Sequence, residues 1–458
     1  MSFTRRQILA GLAGLTVVGL GAGGARYWLG RPGDTASHDY ELIAAPLDVE
    51  LVPGHATRVW AYGGRAPGLE LRARQGELLR VRFVNRLPEP STIHWHGIRL
   101  PLEMDGVPYV SQLPVLPGEY FDYVFRVPDA GSFWYHPHTA SGEQLGRGLV
   151  GPLIVEEREP TGFRHERTLS LKSWHVDGAG AFTDFSVPRE AARGGTPGRL
   201  STVNGVHAPS VELPAGQIVR LRILNLDNTL TYRLNLPGAE ARIYALDGNP
   251  VTPRPLGRDY WLGPGMRIEL ALRVPEAGAE LALRNGPLRL ATLKSVASQD
   301  ALAGDWPPAL PANPVAEPDL AAAETLRFNF EWAGAVSANL AQGAAHSFWQ
   351  INGQAWDIDD KSCAERPIAT LRQGRSYVFE LRNVSQYQHP IHLHGMTFKV
   401  LASNRRRIEA PWFTDTYLLG KNETAKIALV ADNPGVWMFH CHVVDHMETG
   451  LMAAIAVV

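Results

Sequence analysis

Charged and apolar residues alternate along residues 69–84, where Glu70, Arg72 and Arg74 lead into Leu79, Val81 and Phe83. A period of two predicts a half-buried β-strand. The pattern returns over residues 211–223, and again over 368–383 with Arg372-Gln373-Gly374 as its turn. Each segment ends on an asparagine: Arg82-Phe83-Val84-Asn85, Leu221-Arg222-Ile223-Leu224-Asn225 and Glu380-Leu381-Arg382-Asn383. Such recurrence predicts one β-sandwich module used three times. The modules fall near residues 45–158, 163–297 and 322–458, and the Ala/Pro-rich residues 305–323 read as a linker.

Composition agrees with an all-β reading. The 458 residues exceed what one core usually serves. The 45 Gly and 34 Pro supply turns, and long helical patterns are few. A formal net charge of −2 excludes a nucleic-acid partner held by a basic surface. Residues 1–30 read as an export signal: Thr4-Arg5-Arg6-Gln7-Ile8-Leu9 precedes an uncharged Gly/Ala-rich run to Ala25. That order resembles a bacterial Tat signal, which implies passage through the Tat export machinery to a periplasmic or otherwise exported location. The alternative, a membrane anchor, is weakened by the glycines. No later stretch is apolar enough to span a bilayer, and a monomer is expected.

The chemistry lies in the histidines. Ten of 16 fall into four clusters, confined to the first and third modules: His94-Trp95-His96, His136-Pro137-His138, His389-Pro390-Ile391-His392-Leu393-His394, and His440-Cys441-His442 with His446 following. On a strand, residues i and i+2 share a face. Each His-x-His pair therefore offers two imidazoles to one side, and four pairs offer eight, too many for one ion and suited to a small metal cluster between the two modules. Cys441 lies between two such histidines, so its sulfur points the other way. With His389 and His446 it makes a His₂Cys set, the donor set of blue copper sites. A lone pair would be unremarkable; four pairs with a central cysteine are hard to reach by chance. The other six histidines (His38, His55, His165, His175, His207, His346) read as structural or surface residues. Cys363, the other of the two cysteines, reads as a buried apolar side chain, with a spare thiol as the alternative.

On these motifs the sequence resembles the multicopper oxidase family of laccases, ascorbate oxidases and cuprous oxidases, over nearly all of the mature chain. The resemblance implies three cupredoxin-like Greek-key domains and four copper ions, with a trinuclear cluster between the first and third domains. It assigns His94 and His392 to a type 2 copper. His96, His136, His138, His394, His440 and His442 go to a type 3 pair, and His389, Cys441 and His446 to the type 1 copper. Asp105, in Glu103-Met104-Asp105-Gly106-Val107-Pro108, matches a family carboxylate credited with proton delivery; the alternative is that it only stabilises a turn before Gly106.

There are two departures. Leu451 stands where many members place an axial methionine, and the neighbouring Met452 should face the opposite way. This predicts a three-coordinate type 1 copper of raised potential. Met447 stands where several bacterial relatives carry a glutamate of the proton relay, leaving Asp445 and Glu448 as candidates.

The seven methionines are scattered, without the Met-rich segment suited to Cu(I). The favoured activity is therefore laccase-like: phenols or aromatic amines oxidised at the exposed edge of a type 1 histidine, with O2 reduced to water. A periplasmic cuprous oxidase for copper tolerance is the alternative. A cell-division scaffold, a copper-storage protein and a two-domain nitrite reductase fit less well, because all eleven ligand positions are present and storage has no use for a thiolate joined to a separate cluster. Arg405-Arg406-Arg407 reads as a solvated turn.

Overall fold

Tyr40–Val52 runs parallel to Leu78–Asn85, His165–Trp174 to Ile218–Asn225, and Glu324–Trp332 to Ser376–Asn383. Each pair continues antiparallel into a third strand, Tyr120–Arg126, Arg267–Arg273 or Thr424–Val430 respectively. The computed structural model describes residues 39–334, 347–358 and 360–458. The export-signal reading, His38 and His346 lie outside them. A second sheet accompanies each first one and is built on another parallel pair: Leu71–Arg74 with Gly151–Glu156, Ser210–Pro214 with Leu288–Val296, and Ala369–Leu371 with Met452–Val457. The chain is thus all-β, three cupredoxin-like sandwiches built on the same central strands, the first with four strands in each sheet and the other two with six and five.

The recurring asparagines explain the repeat physically. Asn85 Nδ2 donates to the carbonyls of Glu89 and Val115, both at 2.8 Å, while its Oδ1 accepts from Leu87 N at 2.9 Å. Asn225 makes the same three bonds with Leu230 O, Leu262 O and Asp227 N. Asn383 makes them with Tyr387 O, Gly420 O and Ser385 N. All three are buried. Each ties the end of a central strand to two loops whose main-chain groups would otherwise be buried unpaired.

Alternation holds along Leu78–Asn85 and Ser376–Asn383, whose side chains are buried at every second position. Ile218–Asn225 departs from it, being buried throughout. Arg220 and Arg222, on the face expected to be wet, are only 2% and 1% exposed. They bond Glu157, Glu166, Glu269 and Ser132, so residues of the first sandwich close over this sheet. The stretch around 305–323 has no strand but is pinned: Asn313 bonds Ala130 and Gly248, and Leu310 is buried. One apolar cluster joins the first and third sandwiches, containing Trp95, Phe125, Phe379 and Phe439 among others.

Candidate metal centre

His94–His96 pairs antiparallel with Gly131–His136, which sets His94 opposite His136. In the third sandwich His389–Leu393 lies beside Gly435–Cys441, which sets His392 opposite His440. The two pairs of strands meet face to face. His94 stacks on His394, and His96 on His392, each with ring centroids 3.8 Å apart. Donor atoms converge in small sets: His96 with His136 and His442, His138 with His394 and His440, and His94 with His392 and His96. All eight imidazoles are buried.

Cys441 turns to the other side of its strand. Its Sγ lies 3.6 Å from His389 Nδ1 and 3.5 Å from His446 Nδ1, and the two Nδ1 atoms are 3.1 Å apart. The helix Val444–Glu448, directly after the strand, brings His446 back over the sulfur.

Hydrogen bonds settle several tautomers, because a carbonyl can only accept. His94 Nδ1–H donates to Asp105 O, His136 Nδ1–H to Pro137 O, His392 Nδ1–H to Asp415 O and His440 Nδ1–H to Cys441 O, at 2.8–3.0 Å. The Nε2 lone pairs of these rings are left facing the centre. Nε2 of His94, His136, His138 and His392, and both ring nitrogens of His442, are buried without any hydrogen-bond partner. Leaving each unpaired would cost about 1–3 kcal/mol. Burial also holds the imidazoles neutral, lowering His138 and His446 to about 3, His392 below its usual value, and His96, His136, His389, His394, His440 and His442 well below theirs. Neutral imidazoles with inward lone pairs, plus one thiol, fit copper.

Asp105 occupies a position that a turn-stabilising role does not explain. Its Oδ2 accepts from His394 Nδ1 at 2.8 Å, across 289 residues, and its carbonyl accepts from His94. Gly106 makes that approach possible. It has φ +77°, and a Cβ there would collide with the carbonyl of Ile93. Sequence reasoning missed a second carboxylate. Asp415 Oδ1 sits 3.2 Å from His96 Nε2, and its carbonyl accepts from His392. Burial would raise Asp415, but the charge and paired hydrogen bonds of Arg267 outweigh it and hold the carboxyl well below its usual range. Thr416 Oγ1 lies 3.1 Å from both His96 Nε2 and His392 Nδ1. Arg267 comes from the second sandwich, which carries no histidine cluster; only the fold connects it to the site.

Leu451 is fully buried in the apolar cluster that contains Cys441, whereas Met452 packs with Trp134, Met438 and Met447 on the other side. Met447 faces Val107 and Trp134 in that same cluster. Asp445 accepts from Thr196 N and Thr229 Oγ1, and Glu448 accepts from Gly142 N at 2.8 Å. Two expectations are corrected. No type 1 edge is exposed: His389 and His446 are both 0% exposed, because Ser385 Oγ and the carbonyl of Arg193 cover their outer nitrogens. Cys363 is half-buried rather than buried, beside Asp360 and Arg366. The Arg405-Arg406-Arg407 turn is exposed as expected, and within it Arg406 donates to Tyr417 Oη and Leu418 O. Of the six other histidines, His175 is buried and bonds Thr196 O.

Family profiles described as multicopper oxidase match residues 45–160 and 329–458. The crystal structure of a multi-copper oxidase from Pseudomonas thermotolerans is 73% identical, covering 92% of this chain and all of that one, with a TM-score of 0.87. A multicopper oxidase of Mycobacterium tuberculosis is 30% identical over 96% of this chain and 90% of its own. A copper resistance protein A homolog of Pseudomonas syringae is 35% identical, over 37% of this chain and 30% of its own.

Proposed function

The chain belongs to the multicopper oxidase family and is a copper-dependent oxidoreductase with O2 as acceptor; from this premise we propose that it binds four copper ions and oxidises small aromatic reductants. His389, Cys441 and His446 would hold the type 1 ion. His96, His136 and His442 would hold one type 3 ion, and His138, His394 and His440 the other. His94 and His392 would hold the type 2 ion. One observation carries the assignment: Cys441 Sγ faces one pair of imidazoles while His440 and His442, its chain neighbours, face the eight-histidine cluster. Bound copper would supply one-electron storage at the cysteine and four-electron reduction of O2 to water at the cluster.

The chain's own residues do the remaining work. The backbone of His440-Cys441-His442 joins the two donor sets covalently. Asp105, hydrogen-bonded to His394 Nδ1, is placed to hold a proton next to the cluster, where reduction of O2 consumes four. The buried site excludes bulk water, so protons must come through such side chains. We assign the reductant to phenols or aromatic amines. Among the described residues no methionine is exposed, and Met104 and Met266 already accept main-chain N–H groups, so no thioether surface is available to capture Cu(I). The likeness to a copper resistance protein favours cuprous ion as the second reading. Tat export to the periplasm as a monomer, with domains over 45–158, 163–297 and 322–458, completes the reading; among the described residues no helix is long and apolar enough to cross a membrane.

Copper loading followed by metal analysis, visible and electron spin resonance spectra, and oxygen uptake tests it. Four coppers per chain, an intense blue band, a type 2 signal and uptake with a phenol are expected. Uptake with Cu(I) alone would transfer the substrate to the metal, and copper binding without a blue band would overturn the assignment.

A further inference from the structure

The type 1 histidines reach no solvent, so electrons must arrive through something else. His446 Nε2–H donates to the carbonyl of Arg193 at 2.9 Å, a residue 253 positions away in the second sandwich's sequence. Arg193 follows the short helix Pro188–Ala191, between strands His165–Trp174 and Leu200–Val203. This segment is held down at three points. Trp349 Nε1 donates to Ala191 O at 2.8 Å, and Thr196 N to Asp445 Oδ2 at 2.6 Å. Ala191 and Ala192 are buried in the apolar cluster that contains Trp349 and Cys441. Gly195 completes the fit, with φ +86° and no room for a Cβ against Thr229 and Val443. Arg193 and Gly194, between these anchors, are exposed. One hydrogen bond therefore separates a surface residue from a wholly buried imidazole.

Resting on the copper-oxidase reading, we propose that residues 188–195 form a cap through which the enzyme takes up electrons: the reductant docks on its outer face at Arg193 and Gly194, and electrons cross the Arg193 carbonyl–His446 hydrogen bond. The donor never touches the imidazole. The cap carries Arg189 and Arg193 against Glu190 alone, so the face selects by charge and favours anionic aromatic donors. Each phenolate loses one electron and leaves as a phenoxyl radical. Four such donors, with four protons, reduce one O2 to two waters.

Two variants test this with separate readouts. Arg193→Glu alters the charge of the face and leaves the carbonyl in place. With a sulfonated phenol and a trimethylammonium phenol of equal size, the KM ratio should shift roughly tenfold or more toward the cation at low salt, with little change in kcat. An unchanged ratio would overturn docking at this face. The second variant, Pro188→Gly with Ala191→Gly and Ala192→Gly, keeps the cap's length, frees its backbone and removes the buried methyl groups that seat it, while the Ala191 carbonyl and the Thr196 N–H stay in place. Carbethoxylation of the copper-free protein, mapped by mass spectrometry, should leave His446 protected in the parent while exposed His55 reacts. In the loosened variant His446 should react. Equal reactivity of His446 and His55 in the parent would overturn the closed cap. If the loaded parent takes up no oxygen with either phenol, the copper-oxidase reading fails, and protection of His446 still decides whether the cap is closed.

Discussion

At Leu451 and Asp105, single side chains set the properties of much larger sites. Leu451 offers Cys441 and its two histidines only methyl groups, and Met452 is committed to another cluster. Leu451→Met would add a thioether on the side of the sulfur. Because axial ligation tunes such sites, the type 1 potential should fall in a redox titration, and an unchanged potential would mean that residue 451 does not lie on the axis. Asp105→Asn keeps the size and the main-chain bond to His94 but removes the charge beside His394. Copper content and the blue band should persist while kcat falls by about 10²-fold, the range of a lost proton-transfer group. Stopped-flow spectra should then show normal bleaching by donor and slow return of colour with oxygen; equal slowing of both steps would point to a structural role.

At the scale of elements, strand ends matter more than strand middles. Asn85, Asn225 and Asn383 each close a central strand with three hydrogen bonds to loop backbones. Asn225→Ala leaves the carbonyls of Leu230 and Leu262 and the N–H of Asp227 without that partner. Buried groups unpaired in this way cost about 1–3 kcal/mol each, so urea unfolding should register a loss of at least that size. The Asn225 side chain bonds none of His389, Cys441 and His446, so the blue band of the folded fraction should be unchanged. The asparagine at each strand end was visible in the sequence as a repeat. Its function was not, because its acceptors lie in loops up to 37 residues away.

At the scale of the whole molecule, charge buried between sandwiches is the decisive feature. Glu269 bonds Arg220, Arg222 and Ser132. Burial would raise its carboxyl, but the two arginines outweigh it and bring it to about 2. A carboxylate depressed on folding contributes stability that is complete above its ordinary value near 4.5 and is lost as pH falls toward 2. The contribution is on the order of 3 kcal/mol. Glu269→Gln should lower stability at pH 7 by about 3–5 kcal/mol, since two buried arginines lose a counter-charge. The gap from the parent should narrow between pH 4.5 and 2 in thermal or urea melts; a constant gap would show that packing, not charge, is lost.

Local order and donor chemistry were legible in the chain itself. Period-two alternation produces strands wherever it occurs, because successive side chains must point to opposite faces. The same rule sends Cys441 away from His440 and His442 without reference to any other residue. The folded molecule decided what no local rule contains: that Asp415 and Arg267 brace His96 from the other two sandwiches, that Arg220 and Arg222 are dry, and that Arg193 covers His446. These depend on which surfaces meet across separations of 47 to 319 residues. Alternation states that a side chain points outward from its sheet; only tertiary packing determines whether water or another domain lies there.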